Sequence, residues 1–210
     1  ELGTVYSPAE VKAVSDLIAP RGMKLHMDGA RFANAVAGLG CTPAELTWKA
    51  GVDVMSFGAT KNGAMMLEAV VFFDHDLAED FAYRRMRSGQ LVSKSRYLGA
   101  QMLAYLDHDL WLDNARVANG LAQRLATGLQ NFKSIRIPNS VQANEVFAIM
   151  PRTLNDRLLA SRAKFYDWMP DSLGGAIAAD EIFVRFVLSF ATPEADIDSF
   201  LKLIGETEKQ

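Results

Sequence analysis

The sequence predicts a mixed α/β chain on three observations. Short apolar runs that read as buried strands alternate with amphipathic helical stretches, and helix-start signatures recur between them. The 210 residues, 50% hydrophobic and 22% charged, suffice for a sizeable core. The first element is a helix. Ser7-Pro8-Ala9-Glu10 supplies an N-cap, a proline at the first helical position and an acid at the third. Val11, Val14, Leu17 and Ile18 then recur at helical spacing up to a stop at Pro20-Arg21-Gly22. A strand over 23–28 follows, and Gly29 opens a helix to about Leu39. Thr42-Pro43-Ala44-Glu45 repeats the start signature for a short helix ending at Gly51. Val52 to Gly58 is the second strand and Leu67 to Phe73 the third, with the continuous apolar character of strands buried on both faces. This alternation predicts a doubly wound domain.

From Asp76 to about Asn131 the pattern is helical, interrupted at Asp107-His108-Asp109. That interruption is the expected boundary between a domain over 1–109 and a second over 110–210. The second part reads as a helix over 112–129, strands near 134–137 and 145–150, a helix over 154–161 and a strand over 182–190. A last helix is capped at Thr192-Pro193-Glu194. Strands and helices without strict alternation predict a smaller α+β domain. A helix signature arising directly after Glu1, which is not a methionine, predicts that the chain is cut from a larger α/β unit.

Composition excludes several function classes. A net charge of -3 gives no basic field for tracking a phosphate backbone, so no nucleic-acid partner is expected. No apolar run reaches the ~20 residues of a bilayer span, and the first ten residues lack the basic flank and apolar stretch of a signal peptide, so no membrane is expected either. The single cysteine, Cys41, leaves no internal disulfide and fits a reducing, cytoplasmic setting. His26, His75 and His108 are too far apart for a metal-ligand spacing, so no metal site is expected.

Three residues carry candidate chemistry. Asp28 falls at the end of a predicted strand, where α/β folds place ligands, although an Asp-Gly pair also reads as a helix N-cap. His26 lies two residues upstream and therefore on the same side of the strand; alone, it reads as a hydrogen-bonded core residue. Lys61 follows the next strand within Ser56-Phe57-Gly58-Ala59-Thr60-Lys61-Asn62-Gly63. Partial burial there would favour the neutral amine that attacks a carbonyl, while the plain alternative is a solvated loop lysine. The small residues Gly58, Ala59, Gly63 and Ala64 would let a planar group approach the backbone. Arg185, inside Ile182-Phe183-Val184-Arg185-Phe186-Val187-Leu188, is flanked by apolar residues on both faces and needs an anionic partner. That partner is either an internal carboxylate or the carboxylate of a bound amino acid. An acid at one strand end, a Schiff-base lysine at the next and a carboxylate-binding arginine are what pyridoxal 5'-phosphate (PLP) chemistry requires.

His26-Met27-Asp28-Gly29-Ala30-Arg31-Phe32-Ala33-Asn34-Ala35 resembles the HxDGAR block of the low-specificity L-threonine aldolases. Val52 to Gly63 is similar to the segment that carries their cofactor lysine. The resemblance implies fold type I, that of the aspartate aminotransferases: the C-terminal half of a large α/β domain plus a small α+β C-terminal domain. It implies Lys61 as the Schiff-base lysine, Asp28 at the pyridine nitrogen, Arg31 near the cofactor's O3′ and the substrate carboxylate, and Arg185 on that carboxylate. Lys94, in the basic stretch Arg84 to Lys94, matches a loop approaching the phosphate, of a neighbouring subunit. The family carries a preceding segment with a phosphate cradle and a ring-stacking histidine, so only part of an active site, inactive by itself, is expected here. The implied reaction is cleavage of L-threonine, L-allo-threonine or a related β-hydroxy-α-amino acid to glycine and an aldehyde, by a homodimer or homotetramer. Two alternatives stand beside it. One is another lyase of the same fold, such as a phenylserine aldolase or a β-eliminating, tyrosine phenol-lyase-like enzyme. The other is a truncated, non-catalytic dimerising module.

Overall fold

A computed structural model describes residues 2–168 and 177–209. It divides into two compact units, Tyr6–Ala115 and Glu1–Val5 with Arg116–Gln210.

In the unit Tyr6–Ala115, helix α1 (Pro8–Ile18) precedes strand β1 (His26–Gly29), helices α2 (Phe32–Leu39) and α3 (Pro43–Leu46), and strand β2 (Val54–Gly58). Strand β3 (Glu68–Phe72) and helices α4 (Phe81–Arg87) and α5 (Arg96–Leu106) complete it. Both start signatures close as reciprocal capping boxes. The Ser7 and Thr42 hydroxyls accept from the Glu10 and Glu45 amides at 3.3 Å, and each glutamate accepts in return from the cap's own N–H. Gly22, at φ 68°, ends the first helical run with the left-handed turn that glycine favours.

The sheet order is β1-β2-β3, with β1 and β2 parallel and β2 and β3 antiparallel. The antiparallel third strand departs from the doubly wound expectation. Its connection, residues 59–67, is shorter than the dozen or so residues a parallel crossover requires, so the chain returns directly. Nor is β3 buried on both faces, since Val70 is 42% exposed. Met55 and Phe57 point from β2 into a core with Phe32, Val36, Leu46, Tyr105 and Trp111. Phe57 makes ring contacts with Phe32, Tyr105 and Trp111, at centroid distances of 5.8–6.1 Å. Burying such a ring contributes roughly 1.5–3 kcal/mol. The alternate residues of β1 and β2, His26, Asp28 and Ser56, stand on the other face.

The second unit begins within helix α6 (Leu110–Leu129), which directly follows a kink where His108 and Asp109 both have positive φ. It contains strand β4 (Glu145–Pro151), helix α7 (Arg152–Ala160), strands β5 (Tyr166–Asp167) and β6 (Glu181–Val187), and helix α8 (Glu194–Thr207). The order is β4-β6-β5, all antiparallel. One face buries Val146, Ala148, Met150, Val184 and Phe186 with helical residues such as Leu125, Leu129, Leu158 and Ile204. The other face carries Phe147, Ile149 and Phe183 beneath Leu2, Trp168 and Ile177.

Two expectations change here, and one strand was not expected. The strand near 134–137 reduces to a single bridge between Arg136 and Ile149. Thr192 does not cap α8: its hydroxyl accepts from the Ser189 amide, and Pro193 occupies the cap position. The two-residue β5 gave no periodic signal.

Arg136 grips the carboxylate of Glu181, one of its bonds being 2.7 Å long. That guanidinium, and then the Ala178 amide, hold the Glu181 carboxyl down at about 2 from its ordinary 4.5. A depressed carboxylate contributes stability that is fully present above its unfolded pKa and is lost as pH falls through the folded one. Glu181→Gln is therefore expected to melt below the parent at pH 7, and the gap should close as pH falls from about 4.5 to 2. Melting curves of both proteins across that range check this.

Candidate active site

Because β1 and β2 run parallel, their carboxyl ends share one edge of the sheet, and both candidate residues lie there. Asp28 is in register with Ser56, whose hydroxyl lies 2.9 Å from His26 Nε2. His26 is thus hydrogen-bonded, but exposed rather than in the core. Asp28 does not cap α2. Its Oδ1 accepts from the Ala30 amide at 2.9 Å in a tight local turn, and the helix begins only at Phe32, with Arg31 at the cap position. The second carboxylate oxygen makes no hydrogen bond among the described residues.

Two glycines set how closely this edge packs. A Cβ on Gly58 would sit 2.7 Å from Ala30 Cα, and one on Gly29 would sit 2.6 Å from the Ser56 carbonyl oxygen. At Gly29 and Gly58 the missing side chains therefore admit neighbouring backbone. Gly29→Ala must push β1 from β2 directly beside Asp28. It is expected to destabilise the protein by about 1–3 kcal/mol, read as a lower urea midpoint.

Lys61 sits in the single 3₁₀ turn Thr60–Asn62 immediately after β2. Its side chain is exposed and makes no hydrogen bond or ion pair among the described residues, so the expected partial burial is not found. The turn around it is fixed on both sides. Thr60 Oγ1 accepts from the Leu67 amide at 2.9 Å and donates to the Leu67 carbonyl at 3.1 Å. Asn62 is 4% exposed, and its Nδ2 donates to Tyr105 Oη and to the Trp111 carbonyl, each at 2.7 Å. Asn114 Nδ2 donates to the Asn62 carbonyl at 2.9 Å. Burial pushes the Tyr105 phenol up, and the hydrogen bond from Asn62 opposes that shift. A buried, satisfied network thus holds a turn from which one lysine projects.

Asn62, Tyr105 and Trp111 were not singled out in the sequence. The only local signal was an asparagine beside the candidate lysine; its partners lie 43 and 49 residues away. Arg31 is half-buried where β1 hands over to α2. Lys94 stands apart from these residues in sequence, in the exposed loop between α4 and α5. Arg185 belongs to the other unit, in the middle of β6. There it has the internal carboxylate that the sequence left open as one option: Glu145 Oε1 lies 3.6 Å from its Nε.

A family profile described as "Beta-eliminating lyase" matches residues 1–153. The chain belongs to the beta-eliminating lyase family. It is 45% identical over 197 residues to a "Low specificity L-threonine aldolase" of a Pseudomonas species, covering 94% of this chain and 54% of that protein. It is 48% identical over 192 residues to the protein of that name from Pseudomonas aeruginosa, covering 91% and 53%. The chain spans about half the length of these curated relatives. The solved threonine aldolase of Leishmania major superposes with a TM-score of 0.87 at 25% identity, over 98% of this chain and 58% of that one. The fold-type-I architecture expected from the resemblance is therefore the observed one.

The family depends on PLP. The donor set at the β1–β2 edge fits that group: near the end of β1 is a carboxylate with one oxygen that makes no hydrogen bond among the described residues, and just after β2 is a primary amine without a partner among them.

Proposed function

We propose that the protein is a PLP-dependent aldolase that cleaves L-threonine, L-allo-threonine or a related β-hydroxy-α-amino acid to glycine and an aldehyde. The observation that carries this reading is the placement of Asp28 and Lys61 at neighbouring carboxyl ends of β1 and β2 in a homologue of low-specificity threonine aldolases. Bound PLP supplies an electron sink for the pair released when the substrate Cα–Cβ bond breaks. Lys61 Nζ would be the group that holds the cofactor, as a primary amine able to bond to an aldehyde carbon. Asp28 keeps a proton on the pyridine nitrogen through its uncommitted oxygen, which is what makes the ring electron-accepting. Arg31 and Arg185 bind the substrate carboxylate as charge-assisted donors, and Lys94 approaches the phosphate of a neighbouring copy.

In this reading residues 1–109 form the C-terminal part of the PLP-binding domain and residues 110–210 a small C-terminal domain. The partner is a second copy of the chain, in a homodimer or homotetramer. The matched share of each aldolase, 53–54%, supports a partial rather than a complete site in these 210 residues. Turnover is accordingly assigned to the holoenzyme that contains them.

The family description favours one competing reading, β-elimination. Product analysis with L-threonine separates the two: equimolar glycine and acetaldehyde are expected, whereas 2-oxobutyrate and ammonia would overturn the aldolase reading in favour of elimination.

A further inference from the structure

Arg185 stands on the β-sheet face that carries Phe147 and Phe183, opposite the helix-covered face. Two side chains constrain its guanidinium. The Trp168 ring centroid lies 4.3 Å from Arg185 Cζ. Glu145 Oε1 lies 3.6 Å from Nε, an ion pair too long to be a hydrogen bond, and Nε is buried without one. The Trp168 amide donates to the Phe183 carbonyl at 2.8 Å, continuing the β5–β6 ladder one pair beyond Tyr166 and Asp167. That register puts Trp168 diagonal to Arg185 on the same face. Phe147, directly across the ladder from Arg185, packs against the indole with centroids 6.1 Å apart.

A guanidinium lying over an indole ring is held through its charge and not through its N–H donors. Glu145 places negative charge beside Nε. The two Nη atoms make no hydrogen bond among the described residues, and the Arg185 side chain is 22% exposed. An arginine fixed in this way has less rotamer freedom left to lose when it takes a ligand.

We propose that Trp168, assisted by Glu145, is a positioning residue that holds the Arg185 guanidinium with its Nη1–Nη2 edge presented to the substrate carboxylate. This rests on the reading of Arg185 as the carboxylate-binding arginine. Trp168 touches neither substrate nor cofactor and acts only through Arg185.

The test is calorimetric titration of the holoenzyme with glycine and with methylamine, which shares the amine and lacks the carboxylate. Arg185→Met is expected to abolish the preference for glycine. Trp168→Leu is expected to weaken glycine about 3- to 10-fold and to leave methylamine unchanged, and Trp168→Phe to weaken glycine about twofold. If Arg185→Met keeps the preference, the carboxylate reading fails and the positioning role falls with it. If Arg185→Met loses the preference while both Trp168 variants bind glycine like the parent, only the positioning role is overturned. Equal loss for both ligands on Trp168 substitution would make the indole a general structural prop and would also overturn it. Should Trp168→Leu not fold, Trp168→Phe alone must show the selective loss.

Discussion

Lys61→Ala is expected to abolish the covalent link to PLP and to lower holoenzyme turnover by at least about 10³-fold. Stability should stay within about 0.5 kcal/mol of the parent, because an exposed side chain outside any bonded network contributes little to the fold. The exposure of Lys61 and its lack of partners among the described residues put it in that class. Lys61→Arg sharpens the test. Arginine keeps the positive charge but stays protonated and cannot attack an aldehyde, so it should be as inactive as alanine. Parent-like turnover in Lys61→Arg would show that only a charge is needed there. Turnover and denaturant midpoints of the three proteins, measured side by side, check both halves of the expectation.

The second large effect is expected on stability. Asn62→Leu removes both hydrogen bonds that the amide donates, leaving Tyr105 Oη and the Trp111 carbonyl without that partner in a buried setting. Each buried group left unsatisfied costs about 1–3 kcal/mol, and some relaxation is available, so a loss of about 2–4 kcal/mol is expected. Tyr105→Phe removes only one member of the network and should cost about 1 kcal/mol. The double variant should lose less than the sum of the two, because the substitutions share one hydrogen bond. Additive losses in urea titrations would contradict the network. Asn62→Leu should also lower the yield of PLP adduct on Lys61, since the same bonds hold the turn that presents it. Stability and adduct yield falling together would tie the distant partners Tyr105 and Trp111 to the chemistry.

What the sequence disclosed follows from the range of the forces involved. The caps at Ser7 and Thr42 depend on residues three positions apart, and both formed as expected. The strand-end positions of Asp28 and Lys61 were legible because strand ends can be located locally. The direction of β3 was not legible from its apolar run, since it depends on the length of the returning connection. Nor was the exposure of Lys61: a strand-end position does not say which way a turn aims its side chain. Asn62 could not be ranked above any other loop asparagine without its contacts across 43 and 49 residues. Arg185 was recognised as needing an anion, but the sequence could not choose between an internal carboxylate and a substrate. The structure supplies Glu145 and adds the indole of Trp168, which only the β5–β6 register brings into place.

We propose the β1–β2 edge as a PLP site with Lys61 as its covalent anchor. Its most direct test is to mix the purified chain with PLP, record the visible absorbance, reduce with borohydride and map the labelled peptides by mass spectrometry. The expected result is a Schiff-base band that reduction converts to a pyridoxyl adduct on Lys61 alone. A band whose reduced adduct maps to other lysines and spares Lys61 would contradict it.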